Sequence, residues 1–386
     1  MKLVQINSVC NGSTGKIMCS IADEAEKQGY ETYNFFGRGK PKKNGRDIKI
    51  DSKIEVYFHV LLARLGFNGH GSYFATKRLI KKLRKINPDV IHMHNIHGYY
   101  INLKLLFKYL KNEYKGKIVW TLHDCWAFTG HCSHFTYIKC DKWKKCCYNC
   151  HQLSEYPKTF FDTSKREYNF KKKLFTGLKN VIIITPSTWL SEIVKKSFLK
   201  EYSVEVINNT VDTNIFKKYS VEDLDEIYKK YGIPRNNKII MGVAGVWTEK
   251  KGLFDFIELS NIIDCSEYQI VMVGTNDKID KILPSSIISI HRTENQIELA
   301  KLYNIANVLF NPTYEDTYPT VNLESVACGT PVVTYNTGGS PESILGFGII
   351  TNKEELFSAY DRIFSQKFVL KKKEFNMYCS YLDLYK

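Results

Sequence analysis

A chain of 386 residues has room for two ordinary domains, and its 44% hydrophobic and 25% charged content is that of a soluble globular protein. No apolar run approaches the roughly 20 residues that span a bilayer. The net charge of +15 is lopsided: residues 1–200 carry 36 basic and 15 acidic groups, residues 201–386 carry 19 and 25. The first half therefore faces membrane lipid, a phosphorylated substrate or nucleic acid, or it is simply a solvated lysine-rich surface.

Met1-Lys2 runs straight into a strand-like LVQIN with no signal-peptide core, so the expected location is cytoplasmic. After this first strand, residues 2–7, Asn11-Gly12-Ser13-Thr14-Gly15-Lys16 opens a helix over about 17–28. Free N–H groups at such a helix start suit an anion or an acceptor, which makes Gly12, Gly15 and Lys16 candidate substrate contacts. The loop is neither G-x-G-x-x-G nor Walker A, and a tight turn is the plain alternative. Strands follow near 30–36, 90–94, 118–121, 181–185 and 204–207. Helical patterns lie near 54–65, 72–86, 101–113, 160–176 and 188–199. This alternation predicts a parallel sheet covered on both faces. Lys81-Lys82, Arg84-Lys85 and Lys171 to Lys173 sit on two of these helices, where contact with an anionic membrane competes with simple solvation.

Six of the eleven cysteines fall between Cys125 and Cys150. In a cytosolic chain this favours a metal site or reduced thiols over disulfides. Cys132, Cys140, Cys147 and Cys150, which end in a C-x-x-C pair, are candidate ligands of a structural zinc ion. Cys125, Cys146, His131, His134 and His151 are rival ligands.

A charge-rich linker is expected over 217–237, after which the pattern restarts. Strands are expected near 238–243, 269–273, 287–290, 308–310 and 331–335, with helices from 253 and near 294–304 and 320–328. Val308 to Glu342 reads as a strand, an acidic loop with Glu315 and Asp316, a helix entered at Pro319 and stopped at Gly329, a strand, and the pair Gly338-Gly339. That is the layout of a ligand crevice at the carboxyl ends of parallel strands. The expected fold is α/β, with two Rossmann-like domains facing across a cleft. Residues 1–207, with the cysteine-rich insert 125–150, form the first and 208–369 the second. A helix over 370–386 crosses back onto the first domain.

The second domain resembles the retaining GT-B glycosyltransferases of family 4. The resemblance rests on Glu324-Ser325-Val326-Ala327-Cys328-Gly329-Thr330-Pro331-Val332-Val333, on Thr337 to Glu342, on Lys251-Gly252 and on Asn209-Thr210-Val211-Asp212. The first half is similar to the colanic acid, capsule and exopolysaccharide branch of that family, through Asn11 to Lys16 and residues 92–100, 120–132 and 184–190. Two departures stand out. The family's first acid, counted back from Glu324, falls on Asp316, while the glutamate is Glu315, one place early. Val246 stands where many relatives carry an arginine.

The resemblance implies transfer of a sugar from a UDP- or GDP-sugar to a lipid-linked saccharide at the inner leaflet of the membrane, with no catalytic cofactor or metal. Lys251 and the Gly338-Gly339 amides would stabilise the departing diphosphate, with Arg292 as a further cation. Glu324 would accept hydrogen bonds from the ribose hydroxyls beside Thr320, and Asp316 or Glu315 would hold the sugar. His123, at a strand's carboxyl end, would position or polarise the acceptor. A basic, cysteine-rich nucleic-acid-binding protein is the rival, yet no basic-aromatic recognition motif is present, so no nucleic-acid partner is expected. Within the fold, a phosphorylase or an epimerase is the other alternative.

Overall fold

The computed structural model describes residues 1–366, 368 and 378–386. The chain divides into two compact units, one holding Met1–Asn208 and the C-terminal helix, the other beginning at Asn209. In the first unit the chain runs β1 (Lys2–Val9), α1 (Gly12–Lys27), β2 (Glu31–Arg38), β3 (Asp47–Lys49), α2 (Lys53–Arg64), α3 (Tyr73–Ile86), β4 (Val90–Met93) and α4 (Leu103–Asn112). It continues through β5 (Lys117–Thr121), α5 (Ser164–Phe175), β6 (Val181–Thr185), α6 (Thr188–Lys195) and β7 (Ser203–Val206). The strands are all parallel, in the order β3-β2-β1-β4-β5-β6-β7.

The central strands read VIHM, KIVWT and VIIIT because a parallel sheet under helices on both faces buries nearly all of their side chains. On one face Phe107 of α4 and Phe175 of α5 close over Trp120 of β5, with ring centroids 4.5 to 5.9 Å apart. Truncating Trp120 to alanine costs about 3–5 kcal/mol at such a site. Helix starts are fixed locally: the Ser52, Asn102 and Ser187 side chains accept from the backbone N–H three residues on.

The second unit runs α7 (Val221–Tyr231), β8 (Lys238–Val243), α8 (Leu253–Ser260), β9 (Tyr268–Val273), α9 (Asp277–Asp280), β10 (Ile287–Ile290) and α10 (Gln296–Ile305). There follow β11 (Val308–Asn311), α11 (Thr320–Ala327), β12 (Val332–Tyr335), α12 (Ser340–Ser343), β13 (Gly348–Thr351) and α13 (Leu356–Ser365). Its parallel sheet is ordered β10-β9-β8-β11-β12-β13, with apolar clusters on both faces.

The last helix, α14 (Tyr378–Tyr385), covers part of the 370–386 prediction; residues 370–377 lie outside the described residues. Tyr381, Leu382 and Tyr385 pack with Leu3, Ile17 and Ile21 of the first unit.

Three expectations need correction. The stretch 217–237 is not all linker: Ser220 caps α7 by accepting from Asp223 N, and Gly232 ends it at φ 62°. The helix after β1 starts at Gly12, so the glycine segment is its first turn. Lys171 does not belong to a solvated face. It is buried on the inner side of α5, its Nζ donating to Trp126 O at 2.5 Å and lying 3.8 Å from that ring's centre. Burial brings its pKa down to about 8.

Candidate active sites in the two units

In the first unit, strand alternation builds the site. Gln5 of β1 pairs with His92 of β4; His94 follows two residues on, and next door Thr121 ends β5 with His123 just past it. The lower part of this face is apolar and covered by α1 and α14. The upper part is a polar ladder at the carboxyl ends of β1, β4 and β5, where the strand order reverses.

Hydrogen-bond directions along this ladder are fixed from one end. The Asp47 carboxylate accepts from Asn34 Nδ2 at 2.8 Å, so Asn34 Oδ1 is the acceptor for Gln5 Nε2 at 2.9 Å. The same Gln5 amide donates to Met18 O, which can only accept. Gln5 Oε1 must then accept, at 3.0 Å, from Nε2 of His94. Burial, with His92 and His123 as like-charged neighbours, keeps His94 neutral, its pKa well below the usual value. Its Nδ1 is therefore a lone pair, and His123 Nε2, 3.1 Å away, must be the donor. Burial takes His123 down to about 4 against the opposing pull of Asp124. At neutral pH His123 is thus the uncharged tautomer whose Nδ1 accepts. Such a ring can polarise or orient a hydroxyl but has no spare proton to give.

Asp124 accepts from Trp126 N at 2.9 Å and pairs with His97 Nε2 at 3.0 Å. Burial opposes its ionisation, but His97 outweighs that and the carboxyl sits at about 2. His94, His97, His123 and Asp124 line one open pocket. Gly15 has a packing reason: a Cβ there would lie 2.5 Å from the Cys10 carbonyl carbon. Gly12 is exposed with φ 78°, and Lys16 is exposed on the first turns of α1, whose start lacks a side-chain cap. His94 and Gln5 were not singled out from sequence; the run of histidines at alternate positions was the available signal.

The cysteine insert does not present a ready zinc set. A tetrahedral zinc thiolate needs sulfurs about 3.8 Å apart, given Zn–S bonds near 2.3 Å. Among the described residues no three of Cys132, Cys140, Cys147 and Cys150 have sulfurs mutually within 4.8 Å. Instead the Cys132 and Cys150 thiols hydrogen-bond each other, and Cys147 Sγ accepts from Gly130 N at 3.1 Å.

In the second unit the carboxyl ends of the adjacent strands β8, β11 and β12 gather a cation, an acid and a glycine turn. Lys251 Nζ pairs with Asp316 Oδ2 at 2.7 Å and donates to Glu315 O at 3.2 Å. Gly339 N donates to Asp316 O at 3.1 Å. Gly338 holds φ 58°, and a Cβ there would meet the Asp316 carbonyl oxygen at 2.0 Å, so only glycine lets the turn close. The two acids are sorted by environment. Glu315 is buried with Lys250 Nζ 3.0 Å away, whereas Asp316 stays partly exposed beside Lys251. Asn322 holds the turn from behind: its Nδ2 donates to Ser340 Oγ at 3.1 Å and Ser343 Oγ at 2.8 Å.

Thr320 and Glu324 are one turn apart on α11 and share a face, and Tyr303 OH donates to Glu324 Oε2 at 3.0 Å. Arg292 is not brought to this group. It is exposed beyond the end of β10, an edge strand separated from β8 by β9.

Two parallel-sheet units, with a cation, an acid and a glycine turn at the strand ends of the second, make an α/β protein with a ligand crevice at the carboxyl ends of its strands. The glycosyltransferase family 4 profile matches residues 15–215 and the glycosyl transferases group 1 profile matches 223–351, and the chain belongs to this glycosyltransferase family. It is 24% identical over 372 residues to the putative colanic acid biosynthesis glycosyl transferase WcaC of Escherichia coli K12, covering 92% of this chain and 88% of that one. A glycosyltransferase from Rickettsia africae superposes with a TM-score of 0.65 at 18% identity, over 94% of this chain and 88% of the other. HepE of Anabaena, solved with UDP, gives 0.60 at 14% identity, over 94% and 89%. The chain has the GT-B fold and is a glycosyltransferase, which sets aside a nucleic-acid-binding protein as the principal reading.

Proposed function

We propose that this enzyme moves a sugar, with retention of anomeric configuration and without a catalytic metal, from a nucleotide diphosphate sugar to a lipid-linked saccharide. The setting would be bacterial surface-polysaccharide assembly at the inner face of the membrane. The observation that carries the reading is the Lys251–Asp316 pair under the Gly338-Gly339 turn. A fixed ammonium beside oriented amides is what a departing diphosphate requires as its charge grows. Asp316, partly open, has a lone pair for a sugar hydroxyl, and Glu324 with Tyr303 has one for the ribose. On the acceptor side, the attacking hydroxyl passes its one proton to the departing phosphate oxygen as its own oxygen bonds the anomeric carbon, and His123 positions the acceptor. The relative with colanic acid in its name supports the polysaccharide assignment, and the UDP-bound neighbour supports a nucleotide donor.

The test is a panel of UDP-, GDP- and ADP-sugars with a lipid-linked acceptor in detergent, with and without EDTA. The expected result is chelator-insensitive transfer from one donor, with an axial-to-axial product anomer by NMR. Inversion, or loss of turnover in EDTA that added divalent metal restores, refutes the mechanism.

A further inference from the structure

Helix α2 is amphipathic the wrong way round for a helix of a soluble fold. Only His59 and Ala63 are buried, while Ile54, Tyr57, Phe58, Leu61 and Leu65 repeat at i, i+3, i+4, i+7 and i+11 on the solvent side. Ile54 is 81% exposed and Tyr57 75%. The stripe extends at both ends. Ala75 N and Arg78 bind the Glu55 carboxylate, which brings Tyr73 and Phe74, both exposed, alongside the start of α2. At the other end Phe160 N donates to Arg64 O and Thr163 Oγ1 to Gly66 O, which sets the exposed Phe160 and Phe161 beside the end of the helix. Nine of the 21 exposed large hydrophobic residues among the described ones fall in these three segments. With aromatic side chains of 150–250 Å² half exposed, the patch is on the order of 800 Å². The largest apolar patch on a typical monomer is roughly 300–600 Å².

Charge identifies what covers it. The outer face of α3, next to Tyr73 and Phe74, carries Lys77, Arg78, Lys81, Lys82, Arg84 and Lys85 and no acid. Among the described residues Lys77, Lys81, Lys82 and Lys85 form no ion pair. The nearby acids are already taken, Glu55 by Arg78 and the Ala75 amide, Asp162 by the Cys150 and Ser164 amides. A protein partner would leave these lysines facing water at the rim, whereas an apolar stripe bordered by uncompensated lysines matches acyl chains below an anionic headgroup layer.

We propose that α2, the start of α3 and the 160–161 loop form one membrane-docking face that inserts its aromatic stripe into an anionic lipid surface while the α3 lysines contact the headgroups. The inference deepens the lipid-linked acceptor reading and rests on it. A small cleft under the end of α2, lined by Ala63 and Gly66, shares Trp126 with the pocket of His123.

The full-length protein is floated with phosphatidylcholine vesicles and with 7:3 phosphatidylcholine–phosphatidylglycerol vesicles. Wild type is expected with the anionic vesicles only. The triple variant Tyr57→Ser/Phe58→Ser/Leu61→Ser should lose about tenfold or more of that binding. Lys77→Gln/Lys81→Gln/Lys85→Gln should lose a similar share and most of the salt sensitivity. Both sets are at exposed positions, and unchanged melting temperatures confirm folding. Equal flotation of wild type and the serine variant overturns the proposal. So does a wild-type dimer that this variant splits while vesicle binding is unchanged, since the face would then join two copies. Transfer in detergent without vesicle binding sinks this inference and leaves the transferase reading intact; vesicle binding without transfer does the reverse.

Discussion

Mild acid should unfold the first unit, and the size of the effect can be worked from its histidines. Burial holds His59 at about 3 and His123 and His131 at about 4, and puts His92 and His94 well below the ordinary value. Unfolded, each titrates near 6.5. The folded values lie below the unfolded one, so as pH falls the unfolded chain binds protons first. The stabilisation is complete above pH 6.5 and shrinks as pH falls towards the folded values. At pH 5 His59, His123 and His131 have each lost about 2 kcal/mol, from 1.5 pH units at about 1.4 kcal/mol each. These three together set a ceiling of about 6 kcal/mol, on the scale of a whole domain's stability, and His92 and His94 act in the same direction. Exposed His291 has the opposite sign, since Asp280 raises its pKa and that contribution fades as pH rises. Four of the five tryptophans (Trp120, Trp126, Trp143 and Trp189) lie in the first unit, so urea unfolding followed by tryptophan fluorescence reads it directly. The midpoint should fall steeply from pH 6.5 to 5, with uptake of several protons on unfolding. A midpoint constant between pH 7.5 and 5 would refute the burial and neutrality of this histidine set.

Lys251→Met should lower turnover by about 10²–10³-fold, the usual loss on removing one donor to transition-state charge, with little change in melting temperature. Asp316→Asn should act on turnover, whereas Glu315→Gln, which strips Lys250 of a buried partner, should act mainly on stability, by about 3–5 kcal/mol; the reverse pattern would exchange the two acids' roles. His94→Ala leaves Gln5 Oε1 and His123 Nε2–H without their partners and should cost about 1–3 kcal/mol along with a drop in kcat. His94→Gln, able to accept and donate at once, should recover part of the kcat. Hydrogen bonding from Cys132 lowers the Cys150 thiol to about 7 despite burial, so iodoacetamide at pH 7 should label Cys150 well before Cys132. Joint protection of Cys132, Cys140, Cys147 and Cys150, with one equivalent of zinc by metal analysis, would instead establish the tetrathiolate site.

The strands that carry the sites were legible because parallel-sheet interiors leave uninterrupted apolar runs, as in Val308-Leu309-Phe310 and Val181 to Thr185. Edge strands β3 and β13 escaped, since three or four residues paired on one side need no such run. Helix α7 was hidden by its charge: it buries only Ile227, and its clearest marks were the Ser220 cap and Gly232. Lys171 was misread because a lysine beside two others looks solvated, while the spacing of Ser164, Tyr168, Lys171 and Phe175 along one helix face puts it inside. At the strand ends of the second unit the sequence offered two adjacent acids, and only the three-dimensional pairing separates them. The Gln5–His94–His123 chain joins three strands, so the run of histidines marked His94 but could not show its partners.

The position of α14 has a consequence for how the enzyme is made. Tyr385 OH lies 2.6 Å from His92 Nδ1, Lys117 Nζ donates to Leu384 O, and Tyr381 and Leu382 seal the face of β1 and α1. During translation the first seven strands emerge long before this cover does. At 5–20 residues per second the nascent first unit waits roughly 10–35 s with its histidine ladder and the Leu3–Ile17–Ile21 surface bare. The unit is sealed only once α14 has emerged, so a chain truncated just short of Tyr378 keeps both sheets but leaves the first unit's polar ladder uncovered, a substrate for proteases before it is an enzyme.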